Sequence, residues 1–140
     1  MRYLGLDLGT KTLGISLSDK SGIIASSYKT IHFNEEDYNS VLDELKGIID
    51  EFEIKTVVLG LPKNMNNTLG DAAKRSMNFR DILLDNFDIE VIMQDERMSS
   101  VEAHNIMLQG DLSRKKRKKH VDSLAANIIL QRYLDSRKGW

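Results

Sequence analysis

The sequence predicts an α/β fold built on a five-stranded mixed sheet, in spatial order 3-2-1-4-5, with flanking helices. Three observations predict it. Residues 3–31 alternate apolar and polar side chains with period two, broken twice by turn residues, which gives three antiparallel strands. From Tyr38 the apolar period lengthens to three and four, and helical and strand patterns then alternate along the chain. Thr56-Val57-Val58-Leu59-Gly60-Leu61 is apolar on both faces and β-branched, as a central parallel strand covered on both sides must be. Right-handed crossovers carry that fourth strand to the free side of the first.

The first strand runs through Tyr3-Leu4-Gly5-Leu6-Asp7-Leu8, with the leucines on one face and Asp7 on the other, near its end. Gly5 and Gly9 lie two residues either side of Asp7, and glycine there implies that a ligand, ion or phosphate approaches the backbone. After Gly9-Thr10-Lys11-Thr12 the chain returns as a hairpin, Ile15 and Leu17 alternating with Ser16 and Ser18. A turn at Asp19-Lys20-Ser21-Gly22 leads into a third strand over residues 23–31. Tyr38, Val41, Leu42, Leu45, Ile48, Ile49 and Phe52 form the apolar stripe of a first helix. Pro62, the single proline, ends the fourth strand, and residues 63–70 read as a polar loop.

A second helix buries Ala73, Met77, Leu83, Leu84 and Phe87, and residues 89–93 form the fifth strand, followed by Gln94-Asp95-Glu96-Arg97-Met98. Ser99 with Glu102 makes a capping box for a third helix that Gly110 closes. Arg114-Lys115-Lys116-Arg117-Lys118-Lys119 reads as a solvated basic loop. Residues 120–137 are then a last helix, buried through Val121, Leu124, Ala125 and Ile128, with Asp122 in its first turn.

Residues 1–140 are expected to form a single domain, long enough to bury a core. With no cysteine, disulfides and thiolate metal sites are excluded. No apolar run approaches the length of a membrane span and the first residues are no signal peptide, so the expected location is cytoplasmic and no membrane partner is expected. The net charge of −1 argues against a generic polyanion binder, but it conceals the unbroken basic run at 114–119.

In such sheets ligands bind outside the carboxyl ends of the strands, near the point where the connections diverge. That edge gathers Asp7, the Gly60-Leu61-Pro62-Lys63 turn and Asp95-Glu96-Arg97, and the start of the last helix brings Asp122 beside them. Three converging carboxylates repel one another unless protonated or neutralised. Oxygen ligands without thiol call for Mg²⁺ or Mn²⁺, and two such ions would suit in-line displacement at phosphorus. Neighbours in a strand point to opposite faces, so only one of Asp95 and Glu96 is a ligand, and Glu96 is chosen. The basic run, Arg114, Lys115, Lys116, Arg117, Lys118 and Lys119, would neutralise phosphates, with Lys11, Lys63 and Arg97 as further contacts. The plainer alternatives are a turn-forming Asp7, an Asp122 serving the helix dipole and a charge run kept for solubility. His32, His104 and His120 lack metal-ligand spacing.

Gly5-Leu6-Asp7-Leu8-Gly9-Thr10-Lys11, Leu13-Gly14-Ile15-Ser16-Leu17-Ser18-Asp19, Val57-Val58-Leu59-Gly60-Leu61-Pro62-Lys63-Asn64-Met65, Asp95-Glu96-Arg97-Met98-Ser99-Ser100 and Asp122-Ser123-Leu124-Ala125-Ala126 resemble, in order and spacing, the YqgF (RuvX) family. The resemblance covers nearly the whole chain. It implies an RNase H-like fold, a nuclease with Asp7, Glu96 and Asp122 as its divalent-metal carboxylates, and processing of the 5′ end of pre-16S rRNA. A Holliday junction resolvase acting on branched DNA is the alternative that the same resemblance offers. Thr12 stands where the family commonly has arginine, while the carboxylates and the Gly60-Leu61-Pro62 turn are intact. Two other classes compete: a nucleotide-binding module, since Asp7-Leu8-Gly9-Thr10-Lys11 also looks like the phosphate loop of actin-like ATPases, and a non-catalytic RNA-binding assembly factor. A monomer or weak homodimer is expected.

Overall fold

Leu4, Leu6 and Leu8 alternate with Tyr3, Gly5 and Asp7 along β1 (Tyr3–Leu8), and the two sets bury themselves in different layers. The computed structural model describes residues 2–34, 37–62, 70–95 and 114–137, with 114–123 described by their backbone. Its elements follow in the order β1, β2 (Thr12–Ser18), β3 (Ala25–His32), α1 (Asn39–Glu51), β4 (Thr56–Leu61), α2 (Asp71–Asn86), β5 (Glu90–Asp95) and α3 (Arg114–Ser136). The five strands form one sheet in the order β3-β2-β1-β4-β5, as the apolar periods predict. β1 pairs antiparallel with β2 and parallel with β4, and β4 pairs parallel with β5. The predicted helix over residues 99–110 and the predicted loop at 63–69 lie outside the described residues.

One face of the sheet carries Leu4, Leu6, Leu8, Val57 and Leu59 and packs on Val41, Leu45 and Ile48 of α1 and on Phe79 and Leu83 of α2. The other face carries Tyr3, Ala25 and Val58 and is covered by Ile129, Leu130 and Leu134 of α3. Both faces of the central strands are therefore buried, which is why β4 reads as a continuous apolar run.

The structure corrects four local expectations. The third strand begins at Ala25 and not at residue 23, because the Asp19 carboxylate accepts the Ile23 and Ile24 amides at 2.8 and 3.1 Å and holds both in the turn. In α2 the buried face is Ala73, Ser76, Phe79 and Leu83, and Leu84 points outwards at 46% exposure. In α3 the buried stripe is Ala125, Ala126, Ile129, Leu130 and Leu134, with Leu124 and Ile128 only half-buried. The basic run is helical: α3 begins at Arg114, so Asp122 sits in its third turn and not its first. Lysine and arginine are good helix formers, and neither glycine nor proline interrupts residues 114–136.

Candidate functional site

Asp7 is half-buried at the penultimate position of β1, on the face that α3 covers. Gly14 of β2 stands directly across the ladder from it. On the other side Leu6 pairs with Leu59, so Gly60 comes level with Asp7 one step further on, and Gly60 is paired in turn with Gln94 of β5. The strands beside Asp7 thus offer backbone in place of side chains, and the carboxylate rises from a floor of glycine. Among the described residues this is the one candidate ligand whose side chain is seen.

The position of α3 follows from its contacts. The Arg137 guanidinium donates to the Tyr3 hydroxyl and lies 4.9 Å from the centre of that ring, and Tyr133 meets Tyr3 edge-on with 5.9 Å between centroids. Two residues along β1, a Cβ added to Gly5 would stand 2.7 Å from Leu130 Cβ and 3.1 Å from the Ala126 carbonyl oxygen. The helix therefore runs antiparallel to β1. Gly5 to Asp7 is an advance of about 6.6 Å along the strand, and Ala126 back to Asp122 is about 6 Å along the helix. The turn from Asp122 to Ala126 is accordingly level with Asp7.

Gly5 corrects a further expectation. What approaches it is α3 itself and not a ligand, since the space a methyl would need is already taken by Ser16, Leu130 and Ala126. Gly9 serves the turn: its amide donates to the Thr12 carbonyl at 2.8 Å, and a Cβ there would meet Thr12 Oγ1 at 3.0 Å. Lys11 is exposed at the tip of that turn, its carbonyl accepting from the Phe33 amide at 2.9 Å. Asp95 ends β5 paired with Leu61. It shares the parity of Val91 and Met93, which pack on the α1 and α2 side, and so belongs to the face opposite Asp7. Glu96, Lys63 and Arg97 lie outside the described residues, and Arg114 to Lys119 and Asp122 are placed by backbone alone.

Among the described residues no three histidine, aspartate or glutamate side chains gather round one point. The donor chemistry nevertheless fits a hard cation: no cysteine thiolate exists in the chain, and Asp7 stands at a strand end against the one turn of α3 that carries Asp122. A groove of about 650 Å³ between the ends of α1 and α2 lies at the opposite edge of the sheet, beside Lys55 and Asp88, far from Asp7 in the fold. Its carboxylates Asp43, Asp50 and Glu53 share it with Lys46 and Lys55, the mixture of an ordinary solvated surface. Among the described residues no helix is long and apolar enough to cross a membrane.

Three polar side chains that sequence reasoning passed over tie the strands to one another and to α3 along their length. Ser16 Oγ donates to the Ala126 carbonyl at 2.9 Å, and Ser18 Oγ accepts the Tyr3 amide at 2.7 Å. Gln131 accepts the Ala25 amide at 2.8 Å and donates to the Ile23 carbonyl at 2.9 Å, fastening the start of β3 to α3. The available signal was serine at the inward positions of a strand whose other face is isoleucine and leucine: a polar residue buried there needs a partner.

Residues 1–136 match the family model described as RuvX: Holliday junction resolvase. A relative from Geobacillus sp. (strain WCH70), named "Putative pre-16S rRNA nuclease", is 49% identical over 138 residues, 99% of this chain and 100% of that one. A relative of the same name from Clostridium botulinum (strain Hall / ATCC 3502 / NCTC 13319 / Type A) is 49% identical over 136 residues, 97% of this chain and 98% of that one. Among solved structures, Thermus thermophilus RuvC in complex with Holliday junction substrate superposes with a TM-score of 0.60 at 15% identity, covering 99% of this chain and 96% of that one. Fowlpox virus resolvase with its substrate Holliday junction DNA gives 0.58 at 12% identity, covering 98% and 99%. At such identities the likeness is one of fold, and that fold is RNase H-like.

Proposed function

Because the chain belongs to the RuvX (YqgF) family, we propose that it is a metal-dependent endonuclease that cuts structured nucleic acid, with the 5′ end of the 16S rRNA precursor as its substrate. The observation that carries the chemistry is Asp7 at the carboxyl end of β1, level with the turn of α3 that holds Asp122. Asp7, Glu96 and Asp122 are the residues that would hold Mg²⁺ or Mn²⁺. Glu96 is preferred to Asp95 because Asp95 shares its sheet face with Val91 and Met93 and not with Asp7. When bound, a pair of such ions supplies Lewis acidity at the scissile phosphate and at the attacking water.

The remaining residues bind and orient. α3 extends eight residues ahead of Asp122, about 12 Å of helix, and these turns carry Arg114, Lys115, Lys116, Arg117, Lys118 and Lys119. Six consecutive positions spaced about 100° apart go right round a helix, so on this reading some of them would be available to phosphates of a substrate crossing the carboxyl edge whatever its sequence. Lys11 at the tip of the first hairpin would add a phosphate contact, and Lys63 and Arg97, outside the described residues, belong to the same reading. The choice of precursor rRNA rests on the relatives so named at 49% identity over the full length. Cytoplasmic action as a monomer or weak homodimer belongs to the same reading.

A second reading, resolution of branched DNA, is favoured by the family description and by the likeness to junction resolvases. The test is incubation of the full chain with a precursor 16S 5′-end RNA and with a four-way DNA junction, in Mn²⁺ and in chelator. Cleavage of the RNA that chelator abolishes, and that Asp7→Asn removes while the melting temperature is kept, is the expected result. Cleavage of the junction alone transfers the assignment to DNA, and cleavage by Asp7→Asn at the parent rate overturns the carboxylate mechanism.

A further inference from the structure

We propose that Ser16 is a positioning residue: its hydrogen bond to the Ala126 carbonyl sets the axial register of α3 so that Asp122 and Asp7 share one metal site. The inference rests on the reading of those two carboxylates given above. Ser16 is fully buried, and its hydroxyl reaches 110 residues along the sequence to a carbonyl inside α3. That carbonyl belongs to a continuous helix, so the bond adds nothing to secondary structure. What it adds is direction. The side chains packed beside this contact, Val58, Ile129 and Leu130, are apolar, the buried Asn127 Oδ1 makes no hydrogen bond among the described residues, and apolar contact resists separation of two elements more than their sliding.

Gly5 makes the bond possible. It pairs with Ser16 across the ladder, and a Cβ on it would collide with Ser16 Oγ. Without a side chain at Gly5, the hydroxyl and the helix backbone meet over the strand. From this contact the two candidate ligands are equidistant in sequence steps that match in length: two strand residues to Asp7 and one helical turn to Asp122. A slip of α3 by a fraction of a turn would carry Asp122 off the level of Asp7. The other ties of α3 lie further from the site, Gln131 at the start of β3 and the Tyr3, Tyr133 and Arg137 cluster at the opposite edge.

The test is Mn²⁺ binding to the full-length protein without substrate, followed by electron paramagnetic resonance well below the melting temperature. Parent, Ser16→Ala, Gln131→Ala and Asp7→Asn are compared. Ser16→Ala is expected to weaken Mn²⁺ binding about tenfold, the scale on which supporting residues tune metal affinity, and raised Mn²⁺ is expected to restore its cleavage rate. Gln131→Ala, which cuts a tie at a distance, is expected to stay within about twofold of the parent. Parent-like Mn²⁺ affinity in Ser16→Ala overturns the proposal, as does equal weakening in both variants, which is the signature of general loosening. If Asp7→Asn binds Mn²⁺ as the parent does, the carboxylate reading itself has failed and this proposal falls with it, an outcome distinct from failure of Ser16→Ala alone.

Discussion

Asp19 is fully exposed, yet its carboxyl is held down from 3.8 to about 2. The Ser21 hydroxyl is the largest cause, followed by the Ile23 and Ile24 amides, all of which donate to the charged form. A value lowered in the folded state means that the unfolded chain takes the proton more readily. The turn's contribution to stability is therefore complete above about pH 4 and is lost as pH falls towards about 2. A carboxyl-carbon NMR titration is expected to place Asp19 near 2, and Ser21→Ala to move it upwards. A midpoint near the ordinary carboxylate value in the parent would refute the hydrogen-bonded turn. At the same edge of the sheet Glu53 has φ 52, the left-handed conformation that favours glycine. It follows α1 in a closing motif whose Ile54 amide donates to the Ile49 carbonyl at 2.9 Å. Glu53→Gly is expected to raise stability by about 0.5–1 kcal/mol, read from the midpoint of urea unfolding.

At the scale of elements, α2 separates pattern from packing. Phe79 is wholly buried, its ring 5.2 Å from that of Tyr38, while Leu84 stands half in solvent. Phe79→Ala is expected to cost about 3–5 kcal/mol and Leu84→Ser no more than about 0.5 kcal/mol, a contrast that denaturant unfolding of the two variants measures directly. Sequence reasoning found this helix but rotated its face, because Leu83, Leu84 and Phe87 near its end outweighed the single aromatic Phe79 in its middle. β3 (Ala25–His32) and β5 (Glu90–Asp95) lie one or two residues off the bounds read as 23–31 and 89–93. The order of the strands was legible, since a period of two, Thr56 to Leu61 apolar on both faces and right-handed crossovers together point to one sheet order. The Asp7 strand was legible for the same reason. The role of Gly5 was not: a small residue on a strand says that something comes close, and only the folded chain says that it is Ala126 and Leu130. The basic run at 114–119 misled through its charge, which solvates a helix as readily as a loop.

For the whole molecule, a net charge of −1 is compatible with polyanion binding only if the positive charge is gathered in one place, and the first turns of α3 gather it. Replacing Lys115, Lys116, Lys118 and Lys119 by alanine is expected to weaken binding of duplex nucleic acid uniformly across sequences. For every phosphate no longer neutralised, the slope of log affinity against log salt should flatten by about 0.9. An unchanged slope in filter-binding or anisotropy titrations would remove the run from the interface.

The long helix that closes the second layer also comes after every strand in the order of synthesis. Ser16 waits for a partner 110 residues downstream and Tyr3 for one 134 downstream. Until that helix has been made, Tyr3, Gly5 and Val58 lack the side chains that cover them in the folded protein. Under the proposed function, cleavage would therefore be expected only of a chain in which this helix has already been made and docked.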